Sequence, residues 1–93
     1  MRRYELVALI KTESNLEQVV NNIKNIVEKN NAHIEDKLFT NNQKLAYPIE
    51  GHEFSTRYEA DVFFEDNEKD VKEVNDKIGL IDGMLRYIIY FAE

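Results

Sequence analysis

Residues 3–10, RYELVALI, turn apolar at nearly every position after the first three, as expected of a strand covered on one face and sheltered on the other. The polar break KTESN follows, in which Ser14 and Asn15 are good N-cap residues and Glu17 and Gln18 suit the positive end of a helix. Leu16, Val19, Val20, Ile23, Ile26 and Val27 then recur at spacings of three and four. That stripe predicts an amphipathic helix starting at about Leu16. It should close near Asn30 and Asn31, because asparagine tolerates the left-handed conformation of many helix ends.

Residues 33–49 read as extended, with polar TNNQK in the middle suggesting a bulge at Asn41 and Asn42, and with Leu45, Tyr47 and Ile49 alternating after it. Pro48 has no N–H for a ladder, so this second strand belongs at a sheet edge or ends there. EGHEFS, residues 50–55, is expected to turn the chain. Tyr58, Ala60, Val62 and Phe64 alternate with Arg57, Glu59, Asp61 and Phe63, a third strand with one apolar and one largely charged face. EDNE, residues 65–68, offers caps for a shorter helix carrying Val71, Val74 and Ile78 and stopped by Gly79. Residues 80–92, with RYIIYF at their centre, complete a fourth strand. The order strand, helix, strand, strand, helix, strand predicts an α+β fold, the ferredoxin-like split βαβ sandwich (βαββαβ): a four-stranded antiparallel sheet with two helices on one face. Strands one and three are then central, two and four are edges, and residues 1–93 make a single domain without a visible linker.

Charge narrows the partners. The 93 residues hold 18 acids against 12 bases, a net charge of -6, so the average field repels nucleic acid and any RNA contact is local or shared with a basic partner. With 43% hydrophobic residues and no low-complexity tract, the chain is expected to fold. It has no cysteine, which excludes disulfides and thiolate metal sites. No apolar run reaches the length of a membrane span and MRRYEL lacks a signal-peptide core, so the expected compartment is the cytoplasm.

Catalysis has little to stand on. His33 and His52 have no nucleophile motif beside them, Gly51, Gly79 and Gly83 form no phosphate-binding loop, and EDNEKD lacks the spacing of a calcium loop. No catalytic residue, metal ligand, cofactor or small-molecule substrate is therefore expected. The same strand order occurs in the common RNA-recognition motif, which stacks bases on aromatics of the central strands. Here the third strand would present Arg57, Glu59, Asp61 and Phe63, and the two acids argue against that platform while suiting a basic protein segment. Tyr4, Tyr47, Tyr87 and Tyr90 read as strand packing with hydroxyls at the rim. Arg2, Arg3, Lys44, Arg57, Lys77 and Arg86 are the cations of interest, with the chain termini and KLAYPI expected near one another at strand ends.

MRRYE at the N-terminus, KLAYPI in the second strand and LIDGMLRYIIY near the C-terminus resemble, in order and spacing, the family of the sixth protein of the bacterial small ribosomal subunit. KLAYPI is the most specific element, since the family shows a basic pair followed by LAYPI; here that pair is Gln43-Lys44. The resemblance implies a non-enzymatic ribosomal protein that binds the central domain of small-subunit ribosomal RNA as a heterodimer with the basic eighteenth small-subunit protein. Carried over by position, it implies RNA contacts at Arg2, Arg3, Lys44 and Arg86. Tyr47, Pro48, Ile49 and Arg57 are implied to meet the protein partner. The competing expectation is a free-standing ferredoxin-like interaction module without direct RNA binding, which would share the strand edge and lack clustered arginines.

Overall fold

The computed structural model describes residues 1–65 and 68–92. Its elements are β1 (Arg2–Lys11), α1 (Leu16–Lys29), β2 (Ala32–Ile49), β3 (His52–Phe64), α2 (Glu68–Ile78) and β4 (Met84–Phe91). The strands form one sheet in the order β2-β3-β1-β4, with every neighbouring pair antiparallel. This is the ferredoxin-like arrangement expected from the element order, with β1 and β3 central.

The apolar stripe of α1 does what its spacing requires. Val19, Val20, Ile23 and Val27 are buried, and they pack with Leu6, Ala8 and Ile10 of β1 and Tyr58, Ala60, Val62 and Phe64 of β3. From α2, Val74 and Ile78 join the same cluster, with Val71 packed against it. Asn15 caps α1, its side chain accepting from the Gln18 N–H at 3.1 Å. At the other end Asn31 takes a left-handed φ of 60°, the role asparagine tolerates. Asp66 and Asn67, two of the residues expected to cap α2, lie outside the described residues.

Two boundaries differ from the sequence reading. The connection between β2 and β3 is only Glu50 and Gly51, both left-handed at φ 49° and 81°, with Ile49 facing His52 across the turn. Two left-handed central residues match the twist of the flanking strands, so HEFS belongs to β3 rather than to a longer turn. β4 starts at Met84, not at residue 80. Leu80 and Ile81 donate back to the carbonyls of Lys77 and Ile78, closing the end of α2, and Gly83 at φ 96° redirects the chain into the strand.

KLAYPI also departs from simple alternation. Lys44 faces Phe54 and Ile49 faces His52, so Leu45, Ala46, Tyr47 and Pro48 stand opposite Glu53 alone. The segment swells away from the ladder because Pro48 has no N–H to give it. A further register break between Thr40 and Gln43, with Asn42 at φ 49°, lies at the bulge that the NNQ stretch predicts.

Candidate RNA- and partner-binding surface

The helices cover one face of the sheet; the other is open. Because side chains alternate along a strand, burial of Leu6, Ala8 and Ile10 sends Arg3, Glu5, Val7 and Leu9 to the open face, and burial of Tyr58, Ala60 and Val62 sends Arg57, Glu59, Asp61 and Phe63 there. The register then sets rows across the sheet. Glu35, Asp61, Glu5 and Tyr90 form one, and Thr40, Arg57, Leu9 and Arg86 another.

The acidic row is knitted together. Arg3 Nη1 lies 3.1 Å from Asp61 Oδ1 and 3.5 Å from Glu5 Oε1. Lys37 Nζ donates to Glu5 Oε1 at 2.9 Å and stands 3.8 Å from Asp61. The Tyr90 hydroxyl donates to Glu5 Oε2 at 2.6 Å. The hydrogen bond from Tyr90, reinforced by that from Lys37, brings the Glu5 carboxyl down to about 2, while the same partner raises Lys37 above its ordinary value. Lys37 and Tyr90 were not separable from generic surface in the sequence. Their role depends on a cross-strand register that no local spacing encodes.

One row further along the sheet the character changes. Val7, Leu9 and Ile88 floor a shallow cleft of about 230 Å³ with Arg57, Arg86 and Tyr87 on its walls. Arg57 Nε donates to Glu59 at 3.1 Å. Arg86 is exposed and, among the described residues, has no ionic or hydrogen-bonding partner. A larger cleft of about 630 Å³ opens on the helical side, and of the candidate cations only Lys77 borders it.

The candidate residues therefore fall into three places. Arg2 and Arg3 start β1, opposite Phe64 and Phe63. Arg57 and Arg86 flank Leu9 in one row. Lys44 is paired with Phe54, ten positions along β3 from the Phe64 that faces Arg2, a separation of roughly 33 Å at strand rise. The expectation that KLAYPI and the N-terminus meet is thus corrected: β1 and β2 run so that the two segments occupy opposite ends of the sheet. Tyr47 is 65% exposed and Pro48 is exposed, but Ile49 is 7% exposed and supports the hairpin from beneath. Arg57 shares its cleft with Arg86 rather than with Tyr47 and Pro48.

Among the described residues, titratable groups elsewhere on the surface form no reactive constellation. His33 bonds Glu35 at 3.1 Å, both exposed to solvent, and the half-buried His52 stands 3.8 Å from the exposed Glu13. Among the described residues no cluster of three or more His, Asp or Glu side chains has metal-binding geometry. No helix of the described chain is long and apolar enough to cross a membrane.

The sequence model of the family described as Ribosomal protein S6 matches residues 3–90. The chain belongs to the ribosomal protein S6 family. Its place is that of a structural protein of the small ribosomal subunit, in a family that is not one of enzymes. Among solved structures it is similar to 30S ribosomal protein S6 from Thermotoga maritima, with a TM-score of 0.84 at 17% identity over 98% of this chain and 87% of that one. It is also similar to the C-terminal domain of the MgtC protein from Mycobacterium tuberculosis, with a TM-score of 0.62 at 13% identity over 100% of this chain and 89% of that one. At these identities both likenesses speak for the fold. No curated protein matches the chain.

Proposed function

We propose that this protein binds the central domain of small-subunit ribosomal RNA jointly with the basic eighteenth small-subunit protein, on ribosomes of the cytoplasm. The observation that carries the reading is the division of the open face. Acids dominate its centre, where Tyr90 and Lys37 lower the Glu5 carboxyl and Arg3 pairs with Asp61, whereas the free guanidinium of Arg86 stands beside an apolar floor.

A phosphate backbone avoids the first region and is drawn to cations at its margins. Arg86, Arg2 and Lys44 supply those cations, with Arg3 beside Arg2 at the start of β1. Because they lie at separate places on the sheet, they suit an RNA that passes along its margins rather than a strand laid across its centre. A basic protein is complementary to the acidic row. Tyr47 and Pro48, lifted off the ladder with Ile49 beneath them, and Arg57 on the open face are the residues assigned to it.

The test is a titration of a central-domain ribosomal RNA fragment with this protein alone and with the basic eighteenth protein present, at two salt concentrations. Tight, salt-sensitive binding only with both proteins supports joint recognition. Binding of the partner without any effect on RNA affinity would instead establish a protein-interaction module that does not touch RNA.

A further inference from the structure

Two strands close the sheet, and they are built differently. β2 breaks register three times, contains Pro48, and carries Glu35, Asp36, Lys37 and Lys44. Bulges, proline and charge are the devices that keep an edge strand from pairing with another chain. β4 has none of these over its outer half. From Arg86 to Phe91 its register against β1 is unbroken, its single charge is Arg86, and Ile88, Tyr90 and Phe91 are 57%, 43% and 56% exposed.

The outward backbone of β4 can be assigned. Ala92 N–H donates to the Arg3 carbonyl at 2.9 Å, and hydrogen-bonded and non-bonded positions alternate along an antiparallel pair. The N–H and C=O groups of Tyr87, Ile89 and Phe91 consequently point away from β1, to the side where no strand follows.

We propose that β4 pairs antiparallel with β4 of a second copy of this chain, about a two-fold axis at Ile88, joining two four-stranded sheets into one of eight strands. A two-fold axis normal to the sheet keeps every side chain on its own face, so residues equally far before and after the axis oppose one another. With the axis at Ile88, Tyr87 faces Ile89 of the second copy, and these are positions whose backbone groups point outward. On the open face Ile88 meets Ile88, and Arg86 meets Tyr90.

The charge pattern selects this register. Tyr90 already donates to the Glu5 carboxylate, so Arg86 of one copy gains an aromatic ring and an anion from the other. Moving the axis to Ile89 would place Arg86 opposite Ala92, with Arg3 behind it on β1, and moving it to Tyr87 would place it opposite Ile88, with Val7 behind it; neither offers the anion that Glu5 provides behind Tyr90. One strand edge per copy buries less than the roughly 1,600 Å² of a standard interface, so the dimer forms only at high concentration. It covers Arg86, and the protein must be monomeric when that residue meets RNA.

Sedimentation of the full chain over a wide concentration range tests the pairing. The apparent mass should double from 11.0 kDa as concentration rises. Ile88→Lys and Ile88→Glu, each checked for native circular dichroism, should remain monomeric separately, because like charges then oppose each other at the axis, and should dimerise when mixed. Tyr47→Lys on the other edge should dimerise as the parent does. In the parent protein, exchange of the Tyr87, Ile89 and Phe91 amides should slow as concentration rises, a measurement that requires no variant. A parent that stays monomeric, a dimer that survives Ile88→Lys, a mixture that stays monomeric, loss of the dimer in Tyr47→Lys or concentration-independent exchange would each overturn the proposal.

Discussion

The hydroxyl of Tyr58, a side chain with no exposed surface, donates to the carboxylate of Asp36 on the edge strand at 2.5 Å. On the other side of Asp36, Lys24 of α1 approaches to 3.2 Å, so one carboxylate ties β2, β3 and the first helix together. The Tyr58 bond is the main reason that Asp36 titrates below its ordinary value, and burial with the same bond pushes the Tyr58 hydroxyl up.

Tyr58→Phe is expected to cost about 1.5–3 kcal/mol in urea unfolding at neutral pH, the usual worth of a hydrogen bond to a charged acceptor. Asp36 has a folded value below its unfolded one, so its contribution is present above the ordinary value of 3.8 and is lost as pH falls below it. The variant should accordingly show a weaker acid dependence below about pH 4 than the parent. An unchanged acid limb would disprove the assignment.

Glu5 provides a second titration. Its carboxyl is lowered from 4.5 to about 2, first by Tyr90 and then by Lys37. A lowered folded value means that stability associated with Glu5 is complete above about 4.5 and disappears as pH falls towards 2. In Tyr90→Phe the carbon-detected NMR titration of the Glu5 carboxyl is expected to move up towards 4.5, and more than it does in Lys37→Ala. Equal shifts would mean that the ammonium, not the phenol, governs the site.

How much of this was readable in advance depends on the range of the interaction. Val19, Ile23 and Val27 reveal α1 by spacing alone, and Pro48 reveals an edge because the missing N–H is a local property. The swelling of Leu45 to Pro48 over Glu53 was not readable, since the alternation of Leu45, Tyr47 and Ile49 mimics a regular strand until the partner's register is known. Arg57 beside Arg86 is likewise a product of two strands meeting across Leu9. The Gly83 turn was hidden for a different reason: Leu80 and Ile81 look like strand residues, and only the bonds they make back into α2 remove them from β4.

That turn invites a test on two glycines. Both Gly51 and Gly83 are left-handed, at φ 81° and 96°. A Cβ at Gly51 would meet nothing within 4 Å, whereas at Gly83 it would lie 2.6 Å from Ser14 Oγ and 3.0 Å from Ser14 Cβ. Gly51→Ala should therefore lose only the conformational term, on the order of 1 kcal/mol. Gly83→Ala adds a steric clash and should lose about 2–3 kcal/mol. Thermal unfolding of the two variants decides the matter, and equal losses would show that the chain at Ser14 yields freely.

Arg86 and Arg3 separate binding from folding. Arg86 has no partner within the described chain, so Arg86→Ala should leave stability within about 0.5 kcal/mol of the parent. In the joint complex on RNA it should weaken affinity and reduce the salt slope by about 1, as removal of a single cation from the phosphate backbone requires. The measurement belongs at concentrations where the protein is monomeric. Arg3→Ala removes the bridge to Asp61 and the contact to Glu5, leaving two carboxylates of the open face less compensated. It should lower stability by about 1 kcal/mol along with any effect on RNA. Unfolding curves and salt-dependent RNA titrations on the two variants distinguish the roles, because a stability loss in Arg86→Ala with an unchanged salt slope would place that guanidinium in the fold and take it out of the RNA surface.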